Sequence, residues 1–230
     1  MKTNKIFVAC DTSNIKKIKK IISETKNNKI EITPKFGLQF FYSKRGRKFL
    51  ENYKSEFFLD LKLNDIPKTA LSAMESLRDL KNLRYITVHV SGGFEMLKAV
   101  TKKAKRINKN IKVLGVTVLT SLNNKSLKEI GYSKSINQLV LKQASLIKRS
   151  GAAGCVCSAK EAKNIKKKFK SLYIVTPGIR LPGDNKNDQI RVMTPKQAFE
   201  NKVSAIVMGR SLVSGNIKKN VKRLVDHLGQ

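Results

Sequence analysis

Phe58-Leu59-Asp60-Leu61-Lys62-Leu63-Asn64-Asp65-Ile66-Pro67 sets two acids and a lysine at the end of an apolar run. Alternate side chains of a strand point the same way. Asp60 and Lys62 are therefore expected on one face, and Leu59, Leu61 and Leu63 packed on the other. Asp65 follows just past the strand, where the chain turns toward a helix opened by Pro67, whose fixed φ suits a first helical position. A core has no use for these charges, because burying an ionised group is costly unless it is paired. A structural ion pair at a strand end would read the same from this stretch alone, so the surrounding chain has to discriminate.

Outward from this stretch, apolar strands alternate with lysine-rich helices. The pattern predicts strands over 5–11, 30–36, 56–63, 85–90, 112–119, 152–157, 172–175 and 205–208. Helices are expected from 13 or 14 onward, where Ile15, Ile18, Ile21 and Ile22 form one stripe, and over 46–53, 67–80, 94–107, 125–130, 136–148, 159–169, 195–200 and 217–228. Eight β-then-α units with short connections predict parallel strands in an α/β fold. The chain of 230 residues exceeds the roughly 200 that a closed (β/α)8 TIM barrel needs. No shift of composition divides it, so 1–230 is read as a single barrel domain. An open doubly wound sheet is the alternative, but no Gly-x-Gly-x-x-Gly follows the first strand.

The formal net charge is +32. The lysines are spread over nearly every predicted helix, and Asn and Ile are abundant too, so the charge reads as a general Lys/Asn/Ile bias. Neither aromatic RNA-binding segments nor a helix-turn-helix signature accompanies it. A specific nucleic-acid partner is therefore not expected, although the field would steer anionic small molecules. No apolar run approaches the roughly 18 residues of a membrane span, and no secretory signal is legible at the N-terminus. Cys10, Cys155 and Cys157 form no metal or disulfide framework and read as small core residues. An odd cysteine count argues for a reducing compartment, the cytoplasm. His89 and His227 sit in no ligand motif.

In a barrel the C-terminal ends of the strands build the active site. Polar residues recur there: Asp11, Lys35, Asp60 with Lys62, His89, Thr120, Ser158, Arg180 and Arg210. Any one of them could be a cap or loop residue. The last two strand ends fit phosphate, which barrels commonly hold after strands seven and eight. Gly209 permits close backbone approach, and Arg180 and Arg210 supply forked donors. The polar loop 181–189, with Gly183, could close over a ligand.

Several of these segments resemble the orotidine 5′-phosphate decarboxylase family. Asp-x-Lys-x-x-Asp-Ile at 60–66 is followed by Pro-Gly-Ile-Arg at 177–180, Asp-Gln at 188–189 and Gly-Arg at 209–210. Asp11 and Lys35-Phe36-Gly37 match as well, in the family's order and across nearly the whole chain. Related barrels acting on sugar phosphates share the first motif, but usually carry a metal-binding acid on strand two, where this chain has Lys35. The chain departs from the family at Gln39, often Glu, and at Asn201-Lys202, usually a Gly-Ala type turn.

The resemblance implies conversion of orotidine 5′-monophosphate to uridine 5′-monophosphate and carbon dioxide, in pyrimidine biosynthesis, without cofactor or metal. It implies Lys62 as proton donor, Asp60 beside the substrate carboxylate, and Asp65, Ile66 and Thr69 reaching the partner's site in a homodimer. Asp11 and Lys35 would contact the ribose, Thr120 the base or ribose, and Arg180, Gln189, Gly209 and Arg210 the phosphate. A metal-dependent sugar-phosphate lyase or decarboxylase on the same barrel remains the nearest alternative; a basic nucleic-acid-binding protein is the more distant one.

Overall fold

Strand β1 (Lys5–Ala9) lies beside strand β8 (Ala205–Met208), and that pairing closes the sheet. Between them run β2 (Glu31–Gly37), β3 (Phe57–Leu63), β4 (Leu83–His89), β5 (Lys112–Val116), β6 (Gly154–Val156) and β7 (Tyr173–Thr176). Each pairs in parallel with the next, so the described residues contain the closed eight-stranded barrel expected from the alternation. The structure, a computed structural model, describes residues 4–185 and 192–229.

Outside the strands run α1 (Ile15–Glu24), α2 (Leu38–Phe41), α3 (Gly46–Asn52), α4 (Pro67–Glu75), α5 (Gly93–Ile107), α6 (Asn124–Glu129), α7 (Ile136–Ser150), α8 (Ala159–Lys168), α9 (Pro195–Glu200), α10 (Arg210–Val213) and α11 (Ile217–Leu228). Their starts are written in local chemistry. The Asn14 side chain accepts the Lys17 N–H, and Ser135/Gln138 and Thr194/Gln197 form reciprocal capping boxes. Pro67 and Pro195 open α4 and α9 as their positions require. Ser158, a candidate strand-end polar group, caps α8 by accepting the Lys160 N–H.

Two apolar layers result. Strand residues facing outward meet the helices, as Leu59 meets the core shared with Ala70 and Met74. Strand residues facing inward fill the barrel: Phe7, Phe58, Tyr85, Leu114, Val175 and Ala205, all buried. Phe7 meets Phe58 and Tyr85 edge-on, with ring centroids 4.9 and 4.8 Å apart. The Lys5 ammonium lies over the Phe7 and Tyr85 rings and pairs with Glu31. The interior below the strand ends is thus a packed floor, and a cleft opens above it. Cys10, Cys155 and Cys157 are buried, as expected. Burial pushes the Cys10 thiol up to about 12, which keeps it protonated and inert.

Several boundaries differ from expectation. β1 stops at Ala9, leaving Cys10 and Asp11 in the loop; β5 stops at Val116, because its neighbour β6 is three residues long. α4 ends at Glu75, and turns cover the stretch to Leu80. The single-turn helices α2 and α10 were not expected; four residues are too few for a periodic signal.

The Asn201-Lys202 departure has a structural consequence. Lys202 closes α9 with φ 65°, in the left-handed region, and is exposed. A side chain costs about 1–2 kcal/mol there, and glycine's extra unfolded-state freedom offsets part of any relief. Lys202→Gly is expected to raise stability by about 0.5–1 kcal/mol, read as a higher urea midpoint at unchanged slope.

Candidate active site

The loop after β1 and the neighbouring strands β2 and β3 deliver alternating charges to one point. Lys35 near the end of β2 is 5% exposed, and its ammonium lies 3.3 Å from Asp11 Oδ1 and 3.2 Å from Asp60 Oδ2. Asp60 on β3 takes the Lys62 ammonium at 2.9 Å on its other oxygen. The order Asp11, Lys35, Asp60, Lys62 is therefore a continuous line of opposite charges. Gly37, two residues past Lys35, keeps that line open: a Cβ there would stand 2.8 Å from Asp11 Oδ1.

β3 is not the plain strand that alternation predicts. Its pairing with β4 runs from Leu59 opposite Ile86 directly to Leu63 opposite Val88. Asp60, Leu61 and Lys62 thus span the step that Thr87 alone spans on β4, which is a bulge. Lys62 takes up the surplus with φ 51°, left-handed and rare for a side-chain-bearing residue. Its N–H leaves the ladder and is accepted by the Thr87 hydroxyl at 2.9 Å, while that hydroxyl donates to Asp60 Oδ1 at 2.8 Å. Asp60 and Lys62 do reach the same cleft, but through this kink rather than through regular pleating.

Electrostatics follows from the packing. Burial would raise the Asp60 carboxyl, but Lys35, Lys62 and the bonds from Lys62 and Thr87 outweigh it and hold it at about 2. Burial would lower the Lys35 ammonium, and Asp60 and Asp11 reverse that, holding it above the usual lysine value. His89, half-buried at the end of β4, is pushed down by burial and by the nearby Lys62 ammonium, so its imidazole stays neutral at pH 7.

One cleft of about 1190 Å³ gathers Asp11, Lys35, Asp60, Lys62, Thr120, Arg180, Gly209 and Arg210. Arg180 is buried, and its guanidinium donates to the backbone carbonyls of Ile179 and Asn185. Arg210 is exposed at the mouth. A side chain at 209 would meet only Ala9 Cβ, at 3.6 Å, so the space beside Gly209 opens toward the cleft. Asp65, Ile66 and Thr69 do not line it; they are exposed at the start of α4, where Asp65 Oδ1 accepts the Ile66 N–H at 2.7 Å. Gln189 and the Asp188 beside it lie outside the described residues. Thr87 was not singled out from sequence. Its signal was available: it is two residues beyond the inward-facing Tyr85 on β4, so it is a hydroxyl aimed into the barrel.

The chain matches the family described as "Orotidine 5′-phosphate decarboxylase / HUMPS family" over residues 4–223. It belongs to that family. Similar relatives include the orotidine 5′-phosphate decarboxylase of Carboxydothermus hydrogenoformans, 37% identical over 94% of this chain and 92% of the relative. The enzyme of that name from Buchnera aphidicola subsp. Acyrthosiphon pisum is 38% identical over 96% of this chain and 92% of its own. A crystal structure of orotidine 5′-phosphate decarboxylase from Lactobacillus acidophilus superposes with a TM-score of 0.81 at 30% identity, covering 99% of this chain and all of that one. Among the described residues of this family member, no three His, Cys, Asp or Glu side chains gather as a metal site would need, and no helix is long and apolar enough to cross a membrane.

The low value of Asp60 makes a stability prediction. Its folded value lies below the ordinary 3.8, so its contribution is present above that value and is lost as pH falls through about 2; the difference is worth on the order of 2 kcal/mol. The gap in unfolding free energy between wild type and Asp60→Asn is expected to narrow as pH drops from about 5 toward 2, followed by urea unfolding.

Proposed function

We propose that this protein decarboxylates orotidine 5′-monophosphate to uridine 5′-monophosphate and carbon dioxide, as a cytoplasmic carboxy-lyase of pyrimidine biosynthesis that uses no cofactor. The observation that carries the reading is the Asp11–Lys35–Asp60–Lys62 line, with Lys35 buried within it, in a cleft that also holds Arg180 and Arg210. The names of the relatives supply the substrate.

Loss of carbon dioxide from C6 leaves an electron pair on that carbon. The Lys62 ammonium stabilises the developing charge and then delivers a proton from Nζ to C6, giving the product. Fixed charges serve this step well, because they need no reorganisation as the charge forms. Asp60 pairs with the Lys62 ammonium at 2.9 Å and lies beside the departing carboxylate. Asp11 and Lys35 hold the ribose, Thr120 lies by the base or ribose, and Arg180, Gln189, Gly209 and Arg210 take the phosphate. Phosphate binding far from the breaking bond orients the reacting carbon.

The site is completed by a second copy of the chain, whose Asp65, Ile66 and Thr69 enter it. Three observations support this. Among the described residues Asp65 is exposed and makes no ion pair, Ile66 is 65% exposed, and the exposed side chains of Leu38, Tyr42 and Leu119 lie on the same strand-end face. An apolar mouth of that kind suits a symmetric dimer.

The first test is the ultraviolet loss of orotidine 5′-monophosphate absorbance with a chelator present. Wild type is expected to be active, and Lys62→Ala to lose at least about a thousandfold in turnover while still binding product. A folded wild type that turns over only with added divalent metal would instead favour the metal-dependent sugar-phosphate alternative. Arg210→Ala is expected to weaken nucleotide binding about ten- to a hundredfold and leave nucleoside binding unchanged, by calorimetry. For the shared site, Lys62→Ala and Asp65→Ala proteins, each inactive, are mixed and allowed to exchange subunits. Hybrid dimers hold one intact site, so about a quarter of wild-type activity should return; no recovery despite hybrid formation would place Asp65 within its own chain's site.

A further inference from the structure

We propose that Thr87 is a positioning residue, whose hydroxyl ties the Asp60 carboxylate to the backbone of Lys62 and so aims the lysine's ammonium into the cleft. This rests on the decarboxylase reading for its kinetic consequence, while the structural claim stands on the geometry alone.

Thr87 is 1% exposed, and its Oγ1 has two partners that are sequence neighbours of each other's chemistry. It accepts the Lys62 N–H at 2.9 Å and donates to Asp60 Oδ1 at 2.8 Å. A hydroxyl has one hydrogen and two lone pairs, so it can do both at once; a methyl can do neither. Both bonds are needed. At the bulge the ladder offers Lys62 N–H no carbonyl on β4, and an unmet backbone donor at a strand end of this burial is costly. The left-handed backbone of Lys62 persists only if its surroundings over-determine it. Thr87 supplies that constraint and hands its one proton to the same oxygen that pairs with Lys62 Nζ. The main chain and the ammonium of Lys62 are thereby referenced to one carboxylate through one side chain.

The charged and titratable groups around Asp60 are Lys35 from β2, Lys62 from β3, His89 from the end of β4 and, across Lys35, Asp11 from the loop after β1. Thr87 is the uncharged donor among them and acts in the direction of lowering the Asp60 carboxyl.

The test compares Thr87→Val, which keeps the shape and removes the hydroxyl, with Thr87→Ser, which keeps the hydroxyl. Thr87→Val is expected to lower kcat about ten- to a hundredfold with KM within a few fold of wild type, and to move the acid limb of the kcat–pH profile upward. Thr87→Ser should recover to within a few fold. A merely structural threonine would give Val and Ser similar losses, or a loss confined to thermal stability, and either outcome overturns the proposal. Should Thr87→Val not fold, Thr87→Ala against Thr87→Ser carries the same contrast. Independently of turnover, the Asp60 carboxyl is followed by 13C NMR, assigned with Asp60→Asn. It should titrate higher in Thr87→Val than in wild type and be restored in Thr87→Ser. An unchanged titration overturns the inference even in a protein without decarboxylase activity, whereas an inactive wild type with the expected titrations overturns the decarboxylase reading alone.

Discussion

A lysine ammonium almost wholly removed from water has to be neutralised where it sits, and the cleft is arranged around that need. Lys35 is 5% exposed, and without both of its acids it would be an uncompensated buried charge, a situation costing about 3–5 kcal/mol in typical proteins. Satisfying it draws Asp11 in from the loop after β1 and Asp60 across from β3. The same arrangement leaves little room beside Gly37, where a Cβ would stand 2.8 Å from Asp11 Oδ1. Once Asp60 is held by Lys35, its second oxygen is left facing Lys62 and Thr87. The electrostatic line and the barrel's local geometry are therefore one constraint seen twice.

The bulge in β3 shows how a strand can present two successive polar residues to one place. Regular pleating would do so at a fixed spacing along the strand. Here the surplus residues shorten that spacing, and Lys62 leaves the ladder to bond a side chain instead of a carbonyl. The strained backbone in β3 is confined to one residue, and the aromatic floor beneath it holds Phe58 and Tyr85, paired one step before the Leu59–Ile86 pair from which the bulge departs. Rigidity below and a kink above give the acid and the lysine a fixed separation.

The barrel was legible in the sequence because its signals are local: apolar runs of strand length, helices opened by Pro67 and Pro195, and caps at Asn14, Ser135 and Thr194. The charged line was legible because Asp60 and Lys62 interrupt an apolar strand. Thr87 was not, since threonine in a strand reads as ordinary β propensity and its partners lie 25 and 27 positions away. The left-handed Lys62 was not either, because nothing in a lysine announces that conformation; tertiary hydrogen bonds impose it. Ser158 went the other way, a strand-end polar residue that turned out to be a helix cap. Asp65, Ile66 and Thr69 stand clear of the cleft, and the proposed second copy of the chain is what would bring them to it.

The packed rings of Phe7, Phe58 and Tyr85 give the barrel a stopper at one end. A molecule in the cleft therefore finds no way through the packed rings and enters and leaves on the strand-end side. In the reaction proposed here the gas is formed deepest, next to Asp60, with the nucleotide and its phosphate nearer the opening. Carbon dioxide formed there would leave past the nucleotide, and the grip on the phosphate would then set how long both products stay side by side, and with that the chance of the reverse reaction.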